Sequence, residues 1–430
     1  MKYYSIQNKE EWVNLREAVV KSMSSQSGLY MPEQIPVLPA SFFRELPGMK
    51  LPEIAFRVSQ VLLGDDIPLK DLERMAYTAL DFDIPLKALD QQVSVLELFH
   101  GPTLAFKDVG ARYMAALFEY VLEKSDEEVT ILAATSGDTG SAVADAFYNK
   151  KGVKVCILYP SGKVSALQEK QLTTMGGNIT TYEVDGSFDE CQRLVKMAFA
   201  DEELNKKRNL TSANSINLAR LLPQSFYYFY ACAQRAEYNQ PVWISVPSGN
   251  FGNLCAGLIA WKMGLPVQRF IAATNSNHVV PDYLKSGEFT PGEIRYTLSN
   301  AMDVALPSNF PRIQELFQQS WPAMQAQIKG FWCNDSQTLQ AMKDLYAQYK
   351  YIADPHGAIA WDALRSCLPQ EAVGIFLETA HPAKFPDAVR QALGIEINIP
   401  EVLNSIMQKE KMVTRMSTDY REFREHLLQA

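Results

Sequence analysis

Residues 129–142 read VTILAATSGDTGSA: an apolar, β-rich run that stops at a loop of small residues, after which a helical pattern opens. The same rhythm returns along the chain. Val153–Tyr159 leads into PSGKVSALQ, Ile179–Val184 into DGSFDEC, and Val242–Val246 into PSGNFGN. Arg269–Ala273 leads into TNSNHVV, and Val373–Leu377 into ETAHPAKF. Apolar strands alternating with helices predict an α/β protein with mostly parallel sheets covered on both faces. In such sheets the loops at the carboxyl ends of the strands line the ligand crevice. The small-residue loops therefore belong at or near one functional rim.

Upstream of about residue 94 the pattern differs. Asn8 and Glu11 have the spacing of a helix-capping pair, with Trp12, Leu15, Val19 and Met23 following on one face. Prolines punctuate 32–52, and a helical pattern runs from about Glu53 to Ala79. The chain divides on this reading into a mainly helical N-terminal region, 1–93, and two α/β domains, 94–235 and 236–430, whose boundary a crossing strand could shift.

Bulk composition narrows the function classes. Of 430 residues, 47% are hydrophobic and 21% charged, the balance of a folded globular chain. A net charge of -8 argues against a nucleic-acid partner. No run approaches the roughly 20 apolar residues of a membrane span. The N-terminal MKYYSIQNKEEWVNL carries charges where a signal peptide needs an apolar stretch. Six scattered cysteines and five histidines show no metal-ligand spacing, so the expectation is a reduced, cytoplasmic protein without a metal.

Three segments carry chemistry. In 100–110, HGPTLAFKDVG, Gly101-Pro102 marks a turn and Lys107 falls near the start of a helix bearing Tyr113, Ala116, Leu117 and Tyr120 on one side. At pH 7 only about one free lysine in 2,500 is the neutral nucleophile. Partial burial and the positive end of a helix both raise that fraction, as a Schiff-base lysine requires. Taken alone, the segment also fits a solvated lysine beside a turn. The loop Thr135, Ser136, Gly137, Asp138, Thr139 and Gly140 exposes backbone N–H groups and hydroxyls, a nest for a carboxylate or phosphate. Ser248, Gly249, Asn250, Phe251, Gly252 and Asn253 form a second such nest. No G-x-G-x-x-G, Walker A or G-x-S-x-G motif occurs there, which suits a monophosphate better than a nucleotide. Thr379, at the end of an apolar run, could place a hydroxyl at the rim, and His381 reads as a satisfied loop histidine.

Together these segments resemble threonine synthase. HGPTLAFKD around Lys107, TSGDTG at 135–140, PSGNFGN at 247–253 and ETAHP at 378–382 recur in that family in this order. SGLYMPEQIP near 27, YPSGKVSALQEKQ near 159, SANSIN near 212 and SNAMDV near 299 extend the likeness over nearly the whole chain. Val109 and Ser141 depart from common family residues without replacing a group that does chemistry.

The resemblance implies the tryptophan synthase β-like fold with pyridoxal 5'-phosphate as cofactor. It implies that Lys107 carries the cofactor as a Schiff base, that Gly249, Asn250, Phe251 and Asn253 hold its phosphate, and that Thr379 faces the pyridine nitrogen. Ser136, Asp138 and Thr139 would lie in the loop for the substrate's α-carboxylate. The implied reaction takes O-phospho-L-homoserine and water to L-threonine and phosphate by γ-elimination and β-addition. Arg112, Lys163 and Arg220 are the candidates for a second cationic pocket around the substrate phosphate. Rival readings are a related pyridoxal-phosphate enzyme, such as a threonine or serine dehydratase or a cysteate synthase, and a non-catalytic nucleotide-binding or regulatory protein.

Overall fold

A computed structural model describes residues 1–24, 28–123, 127–235 and 240–429; Ser27 of the SGLYMPEQIP stretch lies outside them. The chain forms two units, each with its own core. The first comprises residue 1, 31–106 and 221–398; the second comprises 2–30, 107–220 and 399–430.

The first unit is built on a six-stranded sheet. Its order is Ile328–Trp332, Arg269–Thr274, Val242–Pro247, Val373–Glu378, Val93–Glu97 and Leu86–Ala88. All neighbours run parallel except the last pair. The register sets Glu378 beside Glu97 on adjacent strands. Helix Pro355–Cys367 packs on this sheet, and a Cβ on Gly374 would come to 2.6 Å from its Leu364 side chain, so anything larger than glycine would displace that leucine.

The second unit holds a five-stranded parallel sheet in the order Thr414–Met416, Ile179–Val184, Val153–Pro160, Val129–Ala134 and Leu210–Ser212. Leu132, Cys156 and Tyr182 on one face are buried against Leu194 of helix Phe188–Ala200 and Phe423 of helix Tyr420–Gln429. All six strands expected from the sequence are present, and four of them continue one residue further.

Two expectations need correction. The N-terminal helix is Leu15–Lys21, capped by Asn14 and Glu17 rather than by Asn8 and Glu11. Trp12 and Val13 instead pair with Tyr4 and Tyr3 in an antiparallel ladder, which leaves Trp12 and Met23 off the helix. The pattern from Glu53 to Ala79 is two helices, Leu51–Leu63 and Leu69–Ala79, parted where Pro68 cannot continue a helix.

The consecutive regions 1–93, 94–235 and 236–430 also cut across the two units. Val93–Glu97 pairs with Val373–Glu378, and Thr414–Met416 pairs with Ile179–Val184, so strand pairing draws distant segments together. Among the described residues, no helix is long and apolar enough to cross a membrane, and no group of His, Cys, Asp or Glu is placed to hold a metal ion.

Candidate active site

In the second unit, Lys107 opens helix Lys107–Leu122 and is half-buried. The approach to it is fixed in the first unit. The Phe106 N–H donates to the Thr379 carbonyl at 2.9 Å, the His381 N–H donates to the Leu104 carbonyl at 3.0 Å, and Ala105 bridges Ala380. Leu104 holds φ of 57°, a left-handed conformation that costs a bulky residue free energy and persists only where its surroundings enforce it. The lysine therefore follows a tightly tied turn segment.

The loop after Val129–Ala134 also belongs to the second unit. Thr135 Oγ1 accepts from the Gly137 and Gly140 N–H groups, each at 2.9 Å. Its hydroxyl thus shapes the loop from within rather than facing outward. Gly137 has φ of 137°, and a Cβ there would meet the Gln168 side chain at 2.5 Å, so both backbone and space demand glycine. Gln168 donates to Asp138 Oδ1 at 3.0 Å. Ser136 and Thr139 remain half-buried, beside the first turn of helix Asp138–Phe147.

The three expected cations differ. Lys163 is exposed, and Arg112 is half-buried with Asp145 at 3.9 Å. Arg220 is buried against Gly110 and donates to the Ala213 carbonyl at 2.7 Å. Burial pulls its guanidinium down to about 10, against the opposing charge of Asp108.

In the first unit, the loop from Ser248 to Asn253 joins Val242–Pro247 to helix Gly252–Lys262. Asn253 locks it, donating to the Pro247 carbonyl at 2.7 Å and accepting from the Leu254 N–H at 2.9 Å. Asn250 Oδ1 accepts from Ser308, and Phe251 takes φ of 60° with its ring buried. Among the described residues, the loop's own hydrogen bonds use none of the backbone N–H groups from Gly249 to Asn253. These donors at a helix N-terminus form a preorganised anion cradle. Thr379, only 6% exposed, likewise has a hydroxyl engaged in no hydrogen bond there. Within the first unit an anion nest and a spare hydroxyl, and within the second a half-buried lysine at a helix start, are each of a kind that suits pyridoxal phosphate.

Some supporting residues escape sequence reasoning. Arg312, fully buried, donates to Asn309 Oδ1 at 2.8 Å, and the Asn309 N–H donates to the Asn250 carbonyl at 3.1 Å. That sets a cation behind the nest, and nothing in the local sequence announces it. Asp354 caps helix Pro355–Cys367 and accepts from the Ala380 N–H at 3.0 Å. Its signal was available in Asp-Pro, the usual dress of a helix start. His381 accepts from the Ala383 N–H at 3.1 Å and lies edge-on to Phe99, which bears out a satisfied loop histidine. Burial holds its imidazole below the ordinary value, with His100 acting in the same direction.

The fold and these groups define a pyridoxal-phosphate-dependent α/β enzyme, and the family profile "Pyridoxal-phosphate dependent enzyme" matches residues 74–375. Profiles for the threonine synthase N terminus and C-terminal segment match 2–80 and 357–427. A threonine synthase of Haemophilus influenzae is 45% identical, over the full length of both chains. The crystal structure of threonine synthase from Escherichia coli superposes with a TM-score of 0.94 at 43% identity, covering all of both chains. A PLP-bound threonine synthase from Brucella melitensis gives 0.93 at 34% identity, covering 100% of this chain and 99% of that one. The chain belongs to the threonine synthase family.

Proposed function

We propose that the protein converts O-phospho-L-homoserine and water into L-threonine and phosphate, with Lys107 as its cofactor lysine. The carrying observation is the likeness through both terminal segments, 2–80 and 357–427, which extends past what the general cofactor-family profile covers at either end. A dehydratase or cysteate synthase reading accounts for the cofactor groups and leaves those segments unexplained.

When bound, pyridoxal phosphate supplies an electron sink for the charge left at the substrate's Cα. The chain's residues do the rest. Lys107 Nζ would hold the cofactor and, as a free amine, would take and return protons at Cα and the carbons beyond. The N–H groups from Gly249 to Asn253, with Ser248 and Asn253 bracing them, hold the cofactor phosphate. The Thr379 hydroxyl would face the pyridine nitrogen as a neutral partner, which would favour the unprotonated nitrogen. Ser136 and Thr139, with the first turn of the Asp138 helix, hold the substrate carboxylate. Thr135, Gly137 and Asp138 keep that loop in shape. Arg112, Lys163 and Arg220 supply the positive charge for the substrate phosphate. A cytoplasmic setting is part of the proposal, supported by six cysteines that are all free thiols.

Borohydride reduction followed by peptide mapping tests the centre of this reading. The cofactor mass should appear on the Lys107 peptide, and Lys107→Ala should lower phosphate release from O-phospho-L-homoserine by at least about 10²–10⁴-fold. Trapping on another lysine, or on none, would refute it.

A further inference from the structure

Two carboxyl groups lie buried together where strand Val373–Glu378 gives way to Thr379. Asp354 and Glu378 both have no exposed surface. Their surroundings differ sharply. Asp354 Oδ1 accepts from the His356 N–H at 2.5 Å, the Gly357 N–H at 3.1 Å and meets His356 Nδ1 at 2.8 Å. Its Oδ2 accepts from the Ala380 N–H at 3.0 Å. It also caps the thirteen-residue helix Pro355–Cys367, whose positive end favours an anion. Among the described residues, Glu378 receives one donor, the Asp354 N–H, at 2.6 Å on Oε1.

Among the described residues Glu378 Oε2 makes no hydrogen bond, and no N–H is placed to hold a negative charge on it. A Cβ on Gly357 would come within 1.6 Å of Oε2, so the glycine is what admits the carboxyl to this place. Glu97, in register on the next strand, is satisfied separately by Lys87 at 2.9 Å, His100 at 2.7 Å and Tyr351 at 3.0 Å. Two like charges this close and this dry do not both ionise. Burial, then the Asp354 charge, holds the Glu378 carboxyl well above the usual carboxylate range.

We propose that Asp354 and Glu378 hold one proton between them, carried on Glu378, and that this pair positions Thr379 and the chain leading into Lys107. The mechanical link is short. Asp354 holds Ala380, Ala380 bridges Ala105, and Thr379 receives the Phe106 N–H. One buried anion therefore fixes both segments that the proposed function assigns to the cofactor, and the inference rests on that reading for its catalytic consequence. Neither carboxyl is a catalytic residue; both are positioning residues.

The test compares Glu378→Gln and Asp354→Asn. A glutamine keeps the acceptor for the Asp354 N–H and a donor toward its carboxylate. This variant should keep amide protection at 379–381 in the cofactor-free protein and retain kcat within about threefold, since an isosteric donor replaces the acid. Asp354→Asn should raise exchange at those amides at least about tenfold in the cofactor-free protein. In the loaded enzyme it should lower kcat by about 10²-fold with little change in KM. Equal exposure in both variants, or unchanged exchange in Asp354→Asn, overturns the proposal.

Should Asp354→Asn fail to fold, pH decides. The groups facing Glu378 are Asp354 at the helix start, Tyr351 before it and Glu97 on the neighbouring strand, with His356 beyond Asp354 and Lys87 and His100 beyond Glu97. A raised folded-state pKa gives stability that is full below the unfolded pKa and is lost as pH rises toward the folded one. The thermal midpoint of the wild type should thus fall relative to Glu378→Gln from about pH 5 upward. Parallel profiles overturn the proposal. Thr379→Ala separates the two readings: an unchanged cofactor spectrum would refute the role of Thr379 while leaving the exchange result intact.

Discussion

At the scale of single residues, the phosphate nest is defined by what cannot be added to it. A Cβ on Gly249 would stand 2.7 Å from the Ala301 carbonyl oxygen and 2.8 Å from Met302 Cα. Both are backbone atoms, so no side-chain rotation relieves the overlap, and either the nest or the 299–302 segment must move. Gly249→Ala should therefore weaken pyridoxal phosphate binding by about tenfold or more, equivalent to about 1.4 kcal/mol. Titration of the cofactor-free protein, followed by absorbance, reads this directly, and an unaltered Kd would exclude the loop as the phosphate site. Leu104 and Phe251 show the same logic from the other side. Each is a bulky residue held in left-handed backbone, one just before Lys107 and one inside the nest. Such strain survives because neighbouring bonds enforce it, as the ties to Ala380, His381 and Pro247 do here.

At the scale of elements, the nest leans on a polar segment that should respond to pH. Asp303 accepts from the Thr297 hydroxyl at 2.7 Å, the Thr297 N–H at 3.0 Å and Asn275 at 2.9 Å. Burial nonetheless pushes its carboxyl up to about 6, the Thr297 and Asn275 bonds and His356 pulling the other way. A folded pKa above the unfolded one means stability that is present at low pH and lost as pH climbs through about 6. The advantage of wild type over Asp303→Asn in thermal unfolding should shrink by about 2 kcal/mol between roughly pH 4 and pH 7. A constant gap would show that the carboxyl titrates alike in the folded and unfolded chain. How much of this was legible follows from the range of the forces. Strands such as Val129–Ala134 and Val373–Glu378, with their small-residue loops, announce themselves because burial on both faces needs a local apolar run. Leu86–Ala88, Leu210–Ser212 and Thr414–Met416 are three residues each, too short to show a period. Asp354 and Glu378 stand 24 positions apart, and only strand register and the helix start bring them together. Lys107 was legible as a candidate, yet its fixed approach through Ala105 and Ala380 was not, since that bridge joins segments 275 residues apart in sequence (380 − 105).

At the scale of the whole molecule, the interleaving of segments makes the C-terminal stretch a structural part of the second unit. Thr414–Met416 pairs with Ile179–Val184 and covers what would otherwise be an open sheet edge. Behind it, Leu403, Met416, Phe423 and Leu427 are each at most 2% exposed. Arg424 adds bonds to the half-buried Asp201 and the exposed Glu203, each at 2.8 Å, a smaller contribution than the apolar burial. Burying each large apolar side chain stabilises by about 1.5–3 kcal/mol, so the four together represent roughly 6–12 kcal/mol. That matches the total stability of an ordinary domain, about 5–15 kcal/mol. A chain ending at Asn398 should therefore lose the cooperative fold of the second unit, with the Tyr182 strand the first to open. Hydrogen exchange should rise sharply in 179–184 and 188–200, while 242–247 and 373–378, whose sheet partners all lie within 86–378, change far less. Unchanged protection at 179–184 in the shortened chain would show that the Thr414 strand is an ornament of the sheet rather than its closing edge.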